Sequence, residues 1–407
     1  MSISKLQLSA IVSLVVAAAA APAFGGGFEV PMQNARAAGQ ADAFIVQADD
    51  ASAVWYNAAG LAQLQGTEAM VGGVGLFSNW DFHADQGASQ SMNDFALLPH
   101  LYLSSDLGTE RLRVGIGINN SFGLSEDWGD SGPLRFIVDD AQLAAINISP
   151  AVAYKLNERL SFGLALNVYY ADLSLDRQVL LGAPPTPEGR FHINGNDWAV
   201  GYTPSVLWKI NQRHAIGAFY RSPVKLNLEG EAEVELGGAP IAGPSRTNLP
   251  IALPQQIGIG YAVRPTKPLK IEANVIWTDW GSLDRLRIGS ENPLFDDSRI
   301  PADWRSGFTY RLGAQYELTD NWTVRAGYAY GDNAVPEATF TPIVPDSDYH
   351  LMALGVGYGI ERWSLDLAYQ LIYRESRDIE HSALSPTIDG EWENAIHTVC
   401  LSAVYRF

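Results

Sequence analysis

Cysteine is almost missing: Cys400 stands alone among 407 residues, which excludes an intramolecular disulfide. Long apolar runs are missing after Ala23, where no window of 18 or more apolar residues occurs, so no α-helix of the mature chain is expected to cross a bilayer. Positive charge is scarce, with 27 Lys and Arg against 45 Asp and Glu and a formal net charge of −18, and no nucleic acid is expected as a partner. Signatures of catalysis are missing as well. The seven histidines show no short metal-ligand spacing, no Gly-x-Ser-x-Gly elbow is present, and no Gly-rich phosphate loop follows a strand. No enzyme activity, no cofactor and no metal are therefore expected. Asp296-Asp297 and Asp346 with Asp348 lack the spacing of a dedicated calcium loop.

What is present begins with an address. Lys5 precedes the apolar run 6–21, and Ala21-Pro22-Ala23 is a small-x-small cleavage pattern, so residues 1–23 read as a secretory signal peptide with cleavage after Ala23 or Gly25. Lys5 is the only charged residue before Glu29, and its removal takes the net charge to −19. Without a disulfide, a chain sent to an oxidising space must close its fold by hydrogen bonds and burial.

Alternation with period two dominates the rest. In the last segment Val399, Leu401, Ala403, Tyr405 and Phe407 share one face, and Thr398, Cys400, Ser402 and Arg406 the other. The same split recurs along 160–170, 308–316, 322–330 and 363–371. Such segments start near Glu68, Asn93, Arg111, Ala144, Leu160, Asp197, His214, Pro254, Lys270, Trp304, Trp322, Tyr349, Trp363 and Ala395, which gives about fourteen strands of about ten residues or more. Connections alternate in length. Tight polar turns at 156–159, 210–213, 318–321 and 359–362 contrast with long Pro/Gly/Asp-rich stretches at 173–196, 280–303, 331–348 and 374–394. Trp and Tyr sit at the ends of the oily stripes (Tyr154, Tyr170, Trp198, Trp208, Trp322, Tyr330, Trp363), where an interfacial girdle belongs. Strands of a secreted sandwich or propeller would be shorter and would turn the oily face inward. The expected fold is all-β: a 14-stranded antiparallel transmembrane β-barrel of the outer membrane, spanning residues 67–407.

A barrel of that size encloses a space that is either plugged or leaky. Residues 24–66, too long for a leader and too short for a domain, are expected to be the plug, an N-terminal hatch inside the lumen. Their many Ala and Gly residues permit close backbone packing, and Asp49 and Asp50 read as caps or lumen-facing anchors.

At this point the chain resembles a known family, the FadL-type long-chain fatty-acid and hydrocarbon transporters of the Gram-negative outer membrane. The resemblance rests on Gly27-Phe28-Glu29-Val30, the run 49–60 (DDASAVWYNAAG), residues 119–124, Trp304-Arg305, residues 318–330, and Pro345-Asp346 with Asp348. It spans nearly the whole mature chain. The family's usual Asn-Pro-Ala in the hatch is Asn57-Ala58-Ala59 here, followed by Gly60, and losing the rigid proline makes these the expected gating residues. Gly39-Gln40-Ala41 replaces Gly-Arg-Ala, and Ser121 stands where a proline often precedes Phe122-Gly123-Leu124.

Candidate transport residues follow. Strand five switches faces beyond Tyr170, so that Leu173 and Leu175 offer an apolar trough with Arg177 at its end to meet a carboxylate. Arg305 is read as inward-facing with Thr309 and Arg311, at the loop end of strand ten. The resemblance implies that basic residues at these two places contact the ligand's carboxylate. Arg311 and Arg325 are weaker candidates, and pairing of lumen arginines with buried acids is the competing reading. Phe28 is expected to contact the ligand too, which is freed when the hatch near it shifts. In strand three Gly115 and Gly117, followed by Asn119 and Asn120, are expected either to kink the wall or to make room for the hatch. The resemblance implies that such a kink lets an apolar ligand leave sideways into the membrane.

The expected function is passive, ligand-gated transport of hydrophobic compounds, foremost long-chain fatty acids, with outer-membrane lipid and lipopolysaccharide as surroundings and a monomer as the working form. The alternatives are a carrier of alkane or aromatic hydrocarbons, a porin for polar solutes, or a purely structural or adhesive barrel that takes no ligand.

Overall fold

A ring of hydrogen-bonded strands accounts for the alternation. The computed structural model describes residues 26–85, 87–182, 187–296 and 298–407. The signal peptide and Asp297 lie outside them. The strands of the first half are β1 (Thr67–Ala84), β2 (Ser89–Ser105), β3 (Leu112–Asp127), β4 (Asp140–Lys155), β5 (Leu160–Leu180), β6 (Glu188–Lys209) and β7 (His214–Arg221). Next come β8 (Val224–Leu236), β9 (Ala239–Leu253), β10 (Gln256–Val263), β11 (Leu269–Thr278), β12 (Arg285–Ser290) and β13 (Ser298–Pro301). The last five are β14 (Gly307–Glu317), β15 (Trp322–Gly331), β16 (Tyr349–Ile360), β17 (Trp363–Ile379) and β18 (Gly390–Arg406).

Fourteen of these close the barrel, all antiparallel, in the order β1 to β7, β10, β11, β14 to β18 and back to β1. Closure runs from Glu68↔Arg406 to Ala84↔Gly390. Each expected strand start falls in, or within three residues of, one of these fourteen. The faces divide as the alternation requires. Trp363, Leu365, Leu367 and Tyr369 on β17 are exposed, whereas Ser364, Asp366, Ala368 and Gln370 between them are buried. On β15 Trp322, Val324 and Tyr328 face out and Arg325 and Ala329 face in. The polar face thus points into the lumen and the oily face into lipid, the reverse of a water-soluble sandwich. No helix among the described residues is long and apolar enough to cross a membrane.

Two hairpins stand beyond the ring. Ser222-Pro223 interrupts β7, and Pro254-Gln255 interrupts the opposing strand at the same level; a proline has no N–H to give the ladder. The β8–β9 hairpin continues past this break and pairs instead with the far half of β6, from Arg190↔Glu235 to Asn196↔Glu229. β12 and β13 form the second hairpin, in the long connection between β11 and β14.

The stretches 173–196 and 374–394 are correspondingly shorter loops than their composition implies. Pairing of β5 with β6 continues to Leu180↔Glu188, and that of β17 with β18 to Ile379↔Gly390. Backbone ladders do not end where the bilayer does, so polar side chains here line ribbon rather than coil.

Inside the ring lies the N-terminal segment, residues 26–66. It carries two single-turn helices, α1 (Ala35–Ala38) and α2 (Ala53–Tyr56), and a 3-10 helix over Ala58–Gln63. Its contacts reach β3 to β6 on one side and β16 to β18 on the other. Almost every residue from Phe28 to Leu61 is buried.

Candidate functional site

The lumen has two storeys. The lower one is polar and holds the N-terminal segment by charge and by hydrogen bonds. Arg36 pairs with Asp49 at 3.2 Å, Asp50 at 3.7 Å and Asp366 at 3.6 Å, while Lys270 meets Asp49 at 2.8 Å and Arg325 meets Asp366 at 2.7 Å. Wall side chains also satisfy the segment's backbone. Glu272 accepts from the N–H groups of Val46 and Gln47 (2.8 and 2.7 Å), Glu68 from that of Ala51 (2.8 Å), and Ser402 from that of Ala35 (2.9 Å). A segment with so little regular structure needs such partners, because a buried, unpaired backbone group is costly. Arg325 is therefore paired structurally, and Arg311 donates to the Asp42 carbonyl at 3.2 Å.

Asn57 fixes the turn into the 3-10 helix. Its Nδ2 donates to Ile45 O at 2.8 Å and its Oδ1 accepts from the Ala59 N–H at 3.1 Å. Ala58, Ala59 and Gly60 then press on the wall. Ser205 Oγ accepts from the Ala59 N–H (3.1 Å) and Ser161 Oγ donates to its carbonyl (3.0 Å). The approach is so close that a Cβ on Gly163 of β5 would lie 2.1 Å from Ala59 N.

The upper storey is apolar and aromatic. Phe28 forms its floor, with ring centroids 4.8 Å from Trp280, 5.9 Å from Trp304 and 6.1 Å from Phe122. Higher up, Trp392 stacks on Phe82 at 4.2 Å and meets Phe340 at 5.0 Å and Trp128 at 5.6 Å. The indole N–H groups are used locally, Trp128 donating to Pro342 O and Trp392 to Ile388 O, both at 3.0 Å, so the cluster is built of ring faces and aliphatic carbon. Leu173 and Leu175 pack on this cluster, as the switch of faces in strand five implies. Above it the connection 331–348 is tied to the floor: Asp346 accepts from the N–H groups of Gly27 (3.1 Å) and Ala334 (2.7 Å) and pairs with the buried Arg374 at 2.7 Å.

Between the storeys the wall is broken. β2 and β3 pair only from Leu101↔Ile118 to Ser105↔Val114, although both strands continue for many residues beyond. On the other edge of β3 the register with β4 slips between Asn120 and Phe122, leaving Ser121 as the bulged residue. The N-terminal segment docks at that bulge. Glu29 bridges Phe122, the Val30 N–H donates to Ser121 O at 2.9 Å, and the Gly123 N–H to Phe28 O at 3.0 Å.

The residues singled out in strand three divide accordingly. Gly115 and Gly117 lie below the break, and a Cβ there would strike Val54 at 2.6 Å and the Tyr102 ring at 2.7 Å; these glycines make room. Asn119 and Asn120 lie at the break. Asn119 Nδ2 donates to Tyr102 Oη at 3.0 Å and Asn120 Nδ2 to Pro99 O at 3.3 Å.

The two arginines expected at the ligand both stand exposed. Arg177 is exposed, its guanidinium 5.3 Å over the Phe191 ring on the β5–β6 ribbon. Arg305 is exposed as well, and the strand register does not reach it. Asp303 turns the chain through a φ of 49°, Trp304 goes inward, and β14 begins only at Gly307. The inward positions of that strand are Gly307, Thr309, Arg311, Gly313 and Gln315. Sequence reading missed Trp280, which follows Asp279 in a loop with no period to betray its direction, and Arg221, at the end of a strand whose inward face is otherwise unremarkable.

Comparison with protein families matches residues 15–407 to the family described as Outer membrane protein transport protein (OMPP1/FadL/TodX). The long-chain fatty acid transport protein of Escherichia coli K12 is 23% identical over 438 aligned positions, covering 96% of this chain and 97% of that protein. Outer membrane protein P1 of Haemophilus influenzae is 24% identical over 79% of this chain and 80% of its own. Among solved structures, a Pseudomonas aeruginosa FadL homologue superposes with a TM-score of 0.85 at 20% identity, covering 94% of this chain and all (100%) of that one. The Pseudomonas putida toluene transporter TodX superposes with a TM-score of 0.74 at 16% identity, over 88% and 94%. The protein is a transport channel and not an enzyme, and its place is the outer membrane. With a family match over nearly its whole length and the same barrel architecture, the chain belongs to the OMPP1/FadL/TodX family of outer-membrane transport proteins for hydrophobic compounds.

Proposed function

We propose that this channel takes up long-chain fatty acids by passive diffusion, with the N-terminal segment as the hatch and the break beside β3 as the exit. The observation that carries the reading is the docking of residues 28–30 on the Ser121 bulge, where the floor of the aromatic cluster is hydrogen-bonded to the strand that borders the gap in the wall. A ligand that displaces Phe28 from Trp280 also strains the pairing at Ser121, and it finds the unpaired flank of β2 and β3 beside it. Cargo that is oily along its length gains by leaving directly into lipid rather than crossing the polar lower storey. The ligand's own gradient drives the movement, one barrel acting alone. The relatives named for fatty acids support this cargo, and the relative named for toluene supplies the rival one.

Uptake of labelled oleate and labelled toluene by cells producing the wild-type chain or a chain lacking Ser121 tests the reading. Deleting the bulged residue removes the slip between β3 and β4 and the docking point of residues 28–30, which is expected to straighten β3 towards the unpaired flank of β2 and to lower oleate uptake at least about tenfold, a factor worth about 1.4 kcal/mol. Unchanged oleate uptake in the deletion excludes the sideways exit. Toluene uptake without oleate uptake in the wild type excludes the fatty acid.

A further inference from the structure

Directly beneath the Phe28 floor is a second, smaller site. A cavity of about 20 Å³, the size of one water molecule, is lined by Glu29, Trp55, Arg221, Gln256 and Arg311 together with apolar Ile45, Phe219 and Ile276. Arg221 is 4% exposed and Arg311 8% exposed. Among the described residues neither forms an ion pair. Arg221 lies flat over the Trp55 ring, 3.5 Å from its centroid, donates to the Trp55 carbonyl at 3.1 Å and to Gln256 Oε1, and leaves its buried Nε without a partner. The carboxylate on the cavity, that of Glu29, is held by Gln256 Nε2 at 2.7 Å rather than by either guanidinium. On the cavity itself two buried cations face one carboxylate, that of Glu29, and Arg311 also lies near Asp42; both acids belong to the movable segment.

An unpaired guanidinium in such surroundings is expensive, and the group that relieves it best is a carboxylate, which its planar fork matches. Built around a position one residue from the ring that floors the aromatic cluster, the arrangement accepts a head group only when residues 28–31 move. We propose that the cavity between Arg221 and Arg311 is a carboxylate station: Glu29 guards it while the segment is seated, and the head group of a long-chain acid takes over that position as the segment is displaced. This rests on the fatty-acid reading above and moves the head-group contact from Arg177 and Arg305 to Arg221 and Arg311. A neutral hydrocarbon has nothing to offer this site.

Oleate and oleyl alcohol, equal in chain length and differing in the charge of the head, separate the contributions when their binding to the purified full chain in detergent is measured by calorimetry. In Arg221→Gln and Arg311→Gln, oleate binding is expected to weaken about tenfold while alcohol binding is unchanged, the loss of one charge-assisted hydrogen bond. In Glu29→Gln, where no guard charge competes, oleate is expected to bind several-fold more tightly than to wild type, again with no change for the alcohol. That gain does not arise if the arginines only anchor the segment, and it is readable even where an arginine variant fails to fold. Oleate affinity unaltered by Glu29→Gln, or both ligands weakened equally in the arginine variants, overturns the station while leaving hydrophobic transport intact. A wild-type chain that binds the alcohol but not oleate removes the station and the fatty acid together.

Discussion

Single contacts decide whether the N-terminal segment can seat. Gly163 is the sharpest case, since any side chain there collides with the Ala58-Ala59 backbone, which the 3-10 helix and Asn57 hold in place. Gly163→Val is expected to leave the barrel folded, because β5 pairs with β6 along its whole length and with β4 on both sides of position 163, and to expel residues 57–60 from the wall. In planar bilayers its conductance should rise clearly above that of wild type; an equally silent channel would refute the seating argument. Asp366 carries a different load. It lies between Arg36 and Arg325; Arg36 keeps Asp49 and Asp50, but Asp366→Asn leaves the buried Arg325 without an acid, a change of the kind that costs about 3–5 kcal/mol. Limited proteolysis should then cut the N-terminal segment at lower denaturant concentration than in wild type. None of these roles was readable from residue type. An arginine in a lumen looks alike whether it anchors, guards or binds, and only its partners in space, Asp366 for Arg325 and Trp55 with Gln256 for Arg221, tell the two apart.

Strands were legible to the extent that they alternate. The register of β17 and of β15 follows from the pattern because one face must be oily to meet lipid and the other must not. Where the chain leaves the bilayer that demand lapses, and with it the signal. Val224, Leu226 and Leu228 alternate with Lys225, Asn227 and Glu229 as cleanly as any barrel strand, yet Pro223 and Pro254 turn that hairpin away to a new partner in β6. Likewise, period two extended backward from β14 puts Arg305 inside, whereas the strand begins only at Gly307 and Arg305 lies in irregular chain before it, where alternation does not hold. The exterior end of the β5–β6 ribbon has its own chemistry. Asp176 binds both Arg190 and His192 at 2.9 Å, and the hydrogen bond and charge of that carboxylate raise the His192 pKa above its usual 6.5. A raised value in the folded state means that the pairing strengthens the ribbon fully below pH 6.5 and is lost as pH climbs through the new midpoint. An NMR titration of the imidazole should give a midpoint above 6.5 that falls back in Asp176→Asn. A midpoint at or below the free value rules the coupling out.

The molecule as a whole is a tube whose contents come from its own first residues. Removing residues 28–63 is expected to convert a closed channel into an open pore of the width fourteen strands allow, with conductance independent of oleate. If the intact protein already conducts as freely, the polar-solute porin is the better description. The seam between β1 and β18 has one more implication. The last strand zips onto the first along its entire length, and the Phe407 N–H reaches the Thr67 carbonyl at 2.9 Å. The sheet therefore has no free margin only after the 17 residues of β18 have been made. A ribosome that stops short by one strand releases a curled ribbon with two raw margins, competent to stick to its siblings and unable to enter a membrane, so assembly has to wait for the tail.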